Sequence, residues 1–226
     1  MSTIKTCVSL YSLQDEYLNK RMSLSDIMHF VKEHGAEGVE ILPDQMLKHA
    51  PEPSEETVAQ WKQLLDETGL KPVIADVFLN TNLYKNRTLT HRECIDLLIQ
   101  EIKQAARLGI HLIRLVSMVP YWVIEPLLPY CEEYDVTIAI EVHAAMAFDI
   151  PETKAFIDEV KRLNSKYAGI VIDTGIFCRV ARAVGEHNTI RFQGKQFFCG
   201  GAAGNNGNFA STVDQLTFDV HLGTKV

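Results

Sequence analysis

Short apolar runs alternate with longer amphipathic segments along most of the chain. The short runs are rich in Val and Ile, as are strands that are buried on both faces of a parallel sheet. The longer segments place apolar residues three and four positions apart, which is typical of helices. The pattern predicts six strand–helix alternations, with strands at 6–11, 38–42, 71–77, 111–116, 136–143 and 168–175.

Capping residues mark the boundaries of several predicted helices. Three of these helices begin after a Ser or Thr and end at a Gly, with starts at Ser23, Ser54 and Thr90 and ends at Gly35, Gly69 and Gly109. Thr90 and Glu93 also match a capping box. Pro120 is predicted to begin a less regular helix, which Pro126 and Pro129 are expected to interrupt.

Alternating strands and helices predict an α/β fold with a parallel sheet, either doubly wound or closed as a barrel. A doubly wound sheet usually has a Gly-rich turn after its first strand, and residues 11–15 contain no glycine. Polar side chains instead follow several strands, namely Gln14, Asp76, Arg114, Glu141, His143 and Asp173. Because barrel strands bring such residues to one end of the molecule, we predict a (β/α) TIM-type barrel in residues 1–180.

The remaining residues, 181–226, break the alternation. They form an irregular Gly-rich segment, with glycines concentrated at 200–207 and one further possible strand at 217–222. A complete barrel would need two more strand–helix units there. We therefore expect an incomplete barrel, an altered C-terminus, or closure by a second chain, which makes a homo-oligomer one possible assembly.

Composition and charge limit which partners and which cellular compartment we expect. A net charge of -7 and a pI near 5.6 argue against nucleic acid, which needs clustered Lys and Arg. Five cysteines without a C-x-x-C pair indicate a reducing compartment and buried, inert thiols. The chain shows neither an apolar run of membrane-spanning length nor a signal peptide, so we expect a soluble cytoplasmic protein without membrane contact.

Two neighbouring strands end in carboxylates. Glu141 and His143 share one face of the strand at 136–143, and Asp173 closes the next strand. Parallel strands lie roughly 5 Å apart, so the two acids would repel each other unless a cation or a proton lies between them. A divalent ion such as Mn²⁺, Mg²⁺, Co²⁺ or Zn²⁺ would relieve this repulsion. Alternatively, either acid pairs with Arg114.

Four segments in this order resemble the xylose isomerase-like TIM barrels over roughly residues 6–180: Gly-Val-Glu-Ile-Leu at 38–42, Leu-Gly-Ile-His-Leu-Ile-Arg-Leu at 108–115, Ile-Glu-Val-His at 140–143 and Ile-Asp-Thr-Gly at 172–175. That superfamily includes sugar and sugar-phosphate isomerases and epimerases, keto-inositol dehydratases and apurinic endonucleases. The resemblance implies a metal held by a glutamate after strand five, an aspartate after strand six, a histidine from strand seven and a glutamate from strand eight.

Glu141 and Asp173 match the first two of these ligands. His221 is the candidate for the third, because it lies in a short Val-His-Leu run, and the strand-eight glutamate has no counterpart. The family often has a histidine three residues after the strand-six aspartate, where this chain has Ile176. Because of these departures, the sequence does not decide whether a single chain forms a complete metal site.

The leading hypothesis is a divalent-metal-dependent isomerase or epimerase of a sugar, sugar phosphate or related small carbohydrate. Glu141 would be metal ligand and base, and His143 would bind substrate or carry protons. Arg114 could bind a substrate phosphate or carboxylate, or neutralise the two acids, and Trp122 could line the mouth or pack a helix. One alternative is a catalytically inactive barrel that binds a ligand or partner. Another is an apurinic endonuclease-like phosphodiesterase, which net acidity and scattered histidines disfavour.

Overall fold

Six parallel strands form one sheet whose order follows the chain. The computed structural model describes residues 5–116, 119–143 and 146–173, and the backbone of two strands at 188–192 and 195–199. The sheet strands are β1 (Cys7–Ser9), β2 (Gly38–Ile41), β3 (Lys71–Val77), β4 (Leu112–Leu115), β5 (Thr137–Val142) and β6 (Ala168–Ile172). Each pairs in parallel with the next, and helices connect them. The predicted α/β architecture is confirmed, with six of the eight strands of a barrel in the described residues.

Helices cover one face of the sheet, and the three with predicted caps at Ser23, Ser54 and Thr90 begin directly after those residues. They are α1 (Gln14–Leu18), α2 (Leu24–Glu33), α3 (Pro43–Met46), α4 (Glu55–Thr68), α5 (His91–Leu108), α6 (Ile124–Tyr134) and α7 (Pro151–Leu163). The hydroxyls of Ser23, Ser54 and Thr90 each accept a hydrogen bond from a backbone N–H of the first turn. Gly69 and Gly109 end their helices in the left-handed conformation.

The predicted end of the first strand and the predicted interruption of the helix after Pro120 are both wrong. The first strand stops at Ser9 rather than residue 11, because a 3₁₀ helix at Leu10–Leu13 turns the chain. The predicted interruption at Pro126 and Pro129 does not occur, since α6 runs through both residues. Pro126 lies in the first turn, where a helix leaves its N–H groups unpaired, so its missing N–H costs nothing there.

The sheet is apolar on both faces, and the two faces differ in what lies above them. The main core packs between the sheet and the helices and includes Ile113, Ile138 and Ile140. The opposite face carries a smaller buried layer with one residue from each of four strands, Ile74, Leu112, Ala139 and Val171. Two residues after each of these, on the same face, come Asp76, Arg114, Glu141 and Asp173, the last of which directly follows the end of β6. A polar layer therefore lies directly above an apolar one, at the carboxyl ends of the strands.

The C-terminal part of the chain contributes an antiparallel hairpin of β7 (Asn188–Phe192) and β8 (Lys195–Cys199). The possible strand at 217–222, with His221, and the Gly-rich run at 200–207 lie outside the described residues. Across the part of the chain that the structure describes, no helix combines the length and the apolar character that crossing a membrane requires.

Candidate functional site

The guanidinium of Arg114 lies at the centre of a buried ionic cluster. Its Nε donates a hydrogen bond to Asp76 Oδ1 at 2.7 Å, and its Nη2 donates to Asp76 Oδ2 at 2.9 Å. Nη2 also donates to Glu40 Oε1 at 2.6 Å. Arg114 is 6% exposed, Asp76 2% and Glu40 1%, so these bonds are removed from solvent. Arg114 is therefore bound by two carboxyl groups, one of them in the bidentate geometry that a guanidinium favours.

A third carboxyl group lies at the remaining edge of this guanidinium. Glu141 Oε1 is 3.3 Å from Arg114 Nη1, which is within ion-pair distance. The geometry is not that of a hydrogen bond, because Nη1 is buried and has no hydrogen-bond partner among the described residues. The side chain of Glu141 is more open than the other two, with 14% of its surface exposed. It is thus the cluster member with the most direct access to a ligand.

Strand register explains why these residues meet. Asp76 of β3 is the direct partner of Arg114 of β4, and Glu40 of β2 is the partner of Ile74, which precedes Asp76 by two residues on the same face of β3. Glu141 lies two residues beyond Ala139, the partner of Arg114. Paired residues on neighbouring strands point to the same face, so this register collects the acids around one base.

Burial determines the protonation of the acids that bind Arg114. It raises the pKa of Glu40 to about 8, with the neighbouring Asp76 carboxylate acting in the same direction and Arg114 opposing. Burial also raises the pKa of Asp76 above its ordinary value, against the attraction of Arg114. Burial alone would lower the pKa of Arg114, but the three carboxyl groups outweigh it and raise that pKa. At neutral pH we therefore expect Glu40 to carry a proton beside a charged Arg114.

Opposing effects act on the pKa of Glu141. Burial raises its pKa most, and the charge of Asp173 acts in the same direction, whereas Arg114 and His143 lower it. Both His143 and Asp173 are half-buried. The structure thus brings together four of the site residues that the sequence predicts: Arg114, Glu141, His143 and Asp173.

Of the other two predicted site residues, one makes different contacts and one falls outside the described residues. Trp122 is in a 3₁₀ turn at Tyr121–Val123, where its ring stacks on the imidazole of His91 with centroids 3.9 Å apart. It also packs against the main core. His221 falls outside the described residues. Substrate contact by Trp122 and metal ligation by His221 stay predictions.

The strand-end pattern includes Asp76 without assigning it a role, and Glu40 enters only as part of the segment at 38–42. The structure buries both against Arg114. The sequence did contain one signal. Several acidic residues follow the strands but only one basic residue, Arg114, is named among them, so this base has to pair with more than one acid. Which acids it binds depends on register, which strand-end positions alone do not specify.

The donor chemistry of the site fits a metal in part. In residues 5–116, 119–143 and 146–173, no group of three or more His, Cys, Asp or Glu side chains is arranged to hold a metal ion. Glu141 and Asp173 nevertheless offer two carboxylates near each other, and the charge of one raises the pKa of the other. Hard divalent cations bind such oxygen donors. Glu40 and Asp76 are already bound to Arg114.

Curated relatives of this chain are named as subunits of deglycosidases. It is 30% identical over 171 residues to a C-glycoside deglycosidase alpha subunit of Arthrobacter globiformis, covering 74% of this chain and 46% of that protein. It is 25% identical over 169 residues to a 3'-dehydrocarminate deglycosidase alpha subunit of a Microbacterium species, covering 74% of this chain and 49% of the relative. The chain spans about half the length of the curated relatives that it matches.

Solved structures share the fold at low sequence identity. A D-psicose 3-epimerase crystallised in the presence of D-fructose aligns with a TM-score of 0.59 at 14% identity, over 76% of this chain and 64% of that one. The IOLI protein, which holds a zinc atom, aligns with a TM-score of 0.56 at 19% identity, over 77% and 64%. Residues 28–178 match the family model described as xylose isomerase-like TIM barrel, and the chain therefore belongs to that family.

Proposed function

We propose that this chain removes a proton from a carbon next to the carbonyl group of a keto sugar or related carbohydrate, in a divalent-metal-dependent isomerisation or epimerisation. The observation that carries the proposal is the position of Glu141. It is a half-buried carboxyl group at the carboxyl ends of the strands, with Arg114 behind it and His143 and Asp173 beside it. Catalytic residues of TIM barrels lie at this end.

Glu141 is the base in this proposal. Burial raises its pKa, which makes its carboxylate a stronger base, while Arg114 and His143 favour the ionised form that can accept a proton. The proton passes from carbon to a carboxylate oxygen, and the electrons of the broken C–H bond form an enediolate with the carbonyl. Return of the proton to the neighbouring carbon, with transfer of the hydroxyl proton from that substrate's original hydroxyl oxygen to the former carbonyl oxygen, gives an isomer. Delivery of a proton to the opposite face of the first carbon by a second donor, such as His143 or solvent, gives an epimer, and Glu141 then releases the proton that it took.

Metal and substrate contacts complete the proposal. Glu141 and Asp173 would hold the divalent ion, since both offer carboxylate oxygens at one rim. A bound divalent ion stabilises negative charge on the enediolate oxygens. His143 would hold a substrate hydroxyl or carry a proton, because its imidazole lies near enough to Glu141 to lower the pKa of that carboxyl group.

A second candidate is cleavage of a keto C-glycoside, and the sequence relatives support it. A name such as 3'-dehydrocarminate denotes a sugar that carries a ketone at its third carbon. That ketone acidifies the hydrogen on the second carbon, so the first step is the same proton removal. The electrons of the C–H bond then form a double bond to the first carbon, whose bond to the aglycone breaks, and the aglycone carbon takes up a proton.

The relatives also support a partner chain. They are named alpha subunits, which implies at least one other subunit in those proteins. We propose that this chain likewise works in an assembly, either with a different subunit or with a copy of itself.

The test is an assay of purified protein with Mn²⁺ on D-fructose, D-psicose and D-tagatose, and separately on 3'-dehydrocarminate. Glu141→Gln should lower kcat by about 10²- to 10⁴-fold, the usual contribution of a positioned base. Glu133→Gln is the matched control, since Glu133 is exposed on α6. Turnover that is equal in wild type and Glu141→Gln would remove the proposed base. Activity confined to 3'-dehydrocarminate would establish the second candidate.

A further inference from the structure

Two acidic residues fix the plane of the Arg114 guanidinium. Of its five N–H groups, those on Nε and Nη2 point to Asp76 and Glu40 at 2.6 to 2.9 Å. We call Asp76 and Glu40 the Arg114 clamp. Because Asp76 binds two nitrogens at once, the guanidinium cannot rotate without breaking two buried bonds. The clamp therefore determines where the third nitrogen, Nη1, lies.

That third nitrogen faces Glu141. Nη1 is buried, lies 3.3 Å from Glu141 Oε1 and has no hydrogen-bond partner in the described part of the chain. We infer that Asp76, Glu40 and Arg114 are positioning residues that set the location of the Glu141 carboxylate for proton transfer. This inference rests on the proposed function of Glu141. The three residues act through Glu141, since their own polar atoms are directed at one another.

The chemistry of the surrounding layer argues against a purely structural role. The cluster lies directly above an apolar layer that includes Ile74, Leu112 and Ala139, so apolar side chains could continue that layer. Replacing a buried ionic cluster with well-packed apolar residues is commonly neutral or stabilising. Stability alone would therefore favour apolar side chains at these four positions over ionisable groups. Their arrangement is explained if the orientation of Glu141 requires them.

Direct substrate binding by Arg114 is less consistent with the geometry. Its side chain is 7% exposed, against 14% for Glu141, which lies on the more open side of the pair. A substrate anion would also have to displace or join three carboxyl groups around one guanidinium. The two roles differ in kinetics, because a substrate contact chiefly affects KM, whereas misplacement of a base affects kcat.

The experiment measures kcat and KM with Mn²⁺ on D-fructose, D-psicose and D-tagatose for Asp76→Asn and Arg114→Lys. Asp76→Asn removes the charge that binds two guanidinium nitrogens, and lysine cannot bind two carboxylates in a fork. Each variant should lower kcat by about 10- to 100-fold, the cost of a misplacement near 1 Å, with KM changed less than about 3-fold. Asp96→Asn and Arg92→Lys are the matched controls, because they alter an exposed Asp–Arg pair on α5.

A triple variant allows the positioning role to be tested even if the single variants do not fold. Glu40→Leu, Asp76→Leu and Arg114→Met together replace the cluster with apolar side chains, and circular dichroism reports whether the protein folds. We expect a folded protein with kcat reduced at least as far as in Asp76→Asn. Wild-type kcat in this variant, or a raised KM with unchanged kcat in the single variants, overturns the inference alone. A wild-type protein without turnover of the three sugars or of 3'-dehydrocarminate overturns the proposed function and this inference with it. If only 3'-dehydrocarminate is turned over, the same comparison of kcat and KM is made on that substrate.

Discussion

At the scale of single residues, buried carboxyl groups are stabilised in two ways in this molecule. Asp76 and Glu40 share a guanidinium, which compensates their charge inside the sheet. Glu101 on α5 accepts a hydrogen bond from a neutral amide, Gln104 Nε2, at 2.9 Å. Burial raises the pKa of Glu101 to about 7, and the charge of Asp44 on α3 adds to the effect. Burial therefore raises the pKa of a carboxyl group beside the Arg114 guanidinium as well as that of one beside a neutral amide.

Glu101 should make stability depend on pH. Its folded pKa of about 7 lies above the ordinary value of 4.5, so the folded protein holds a proton there that the unfolded chain releases. This contribution to stability is complete below about pH 4.5 and is lost as pH rises through about 7. Between pH 5 and pH 8, the free energy of unfolding of wild type should fall by about 1 to 3 kcal/mol relative to Glu101→Gln.

Urea unfolding at the two pH values measures this difference. Because other buried acids titrate in both proteins, the informative quantity is the gap between wild type and Glu101→Gln at each pH. Glu133→Gln, which alters an exposed glutamate, should follow wild type at both. A gap that is the same at pH 5 and pH 8 would show that Glu101 has an ordinary pKa in the folded protein.

At the scale of elements, the sequence predicted features that depend on neighbouring residues and missed features that depend on tertiary packing. The caps at Ser23, Ser54 and Thr90 are contacts within one helical turn, so a few residues specify them. The continuity of α6 through Pro129 depends on packing, because buried residues such as Leu127 and Cys131 hold that helix on the sheet. Tertiary burial therefore overrode a local helix-breaking signal.

Two strand glycines give a matched test of packing between elements. A Cβ atom at Gly38 of β2 would lie 2.6 Å from Val73 Cγ2 and 3.1 Å from the carbonyl oxygen of Lys71, whereas one at Gly169 of β6 would meet nothing within 4 Å. Gly38→Ala should lower the free energy of unfolding by about 1 to 3 kcal/mol, the usual cost of overpacking. Gly169→Ala should be neutral or stabilise by up to about 1 kcal/mol.

Val73 provides the check on the cause, with urea unfolding as the measurement. If the clash with its methyl group is responsible, Val73→Ala should cost less in the Gly38→Ala background than in wild type. Equal costs in both backgrounds, or equal stability of Gly38→Ala and Gly169→Ala, would mean that β2 and β3 separate without strain.

At the scale of the whole molecule, parallel topology accounts for the part of the site that could be predicted. The carboxyl ends of β4, β5 and β6 meet at one rim, so polar residues at those ends had to approach one another, and Arg114, Glu141 and Asp173 do so. The partners of Arg114 depended on register across β2, β3 and β4, which spans more than seventy residues of sequence. Long-range register is decided by the assembled sheet, so the pairing of Glu40 and Asp76 with Arg114 emerged only from the structure.

The rim should bind a divalent ion through Glu141 and Asp173. Wild-type protein freed of metal should bind Mn²⁺ in isothermal titration calorimetry, because the ion relieves the repulsion between the two carboxylates, which adds to burial in raising the pKa of Glu141. Glu141→Gln and Asp173→Asn should each weaken binding by at least about 10-fold, since a neutral amide replaces a charged ligand. Mg²⁺, Co²⁺ and Zn²⁺ titrations would then rank the metals.

The control for metal binding is Asp96→Asn, which removes an exposed carboxylate from α5 and should leave the Mn²⁺ affinity unchanged. Metal that binds wild type, Glu141→Gln and Asp173→Asn equally would place the ion elsewhere and remove its proposed role at this rim. Binding that is lost in both rim variants but retained in Asp96→Asn would tie the ion to the two carboxylates. Since calorimetry needs no turnover, the result is independent of which carbohydrate the protein acts on.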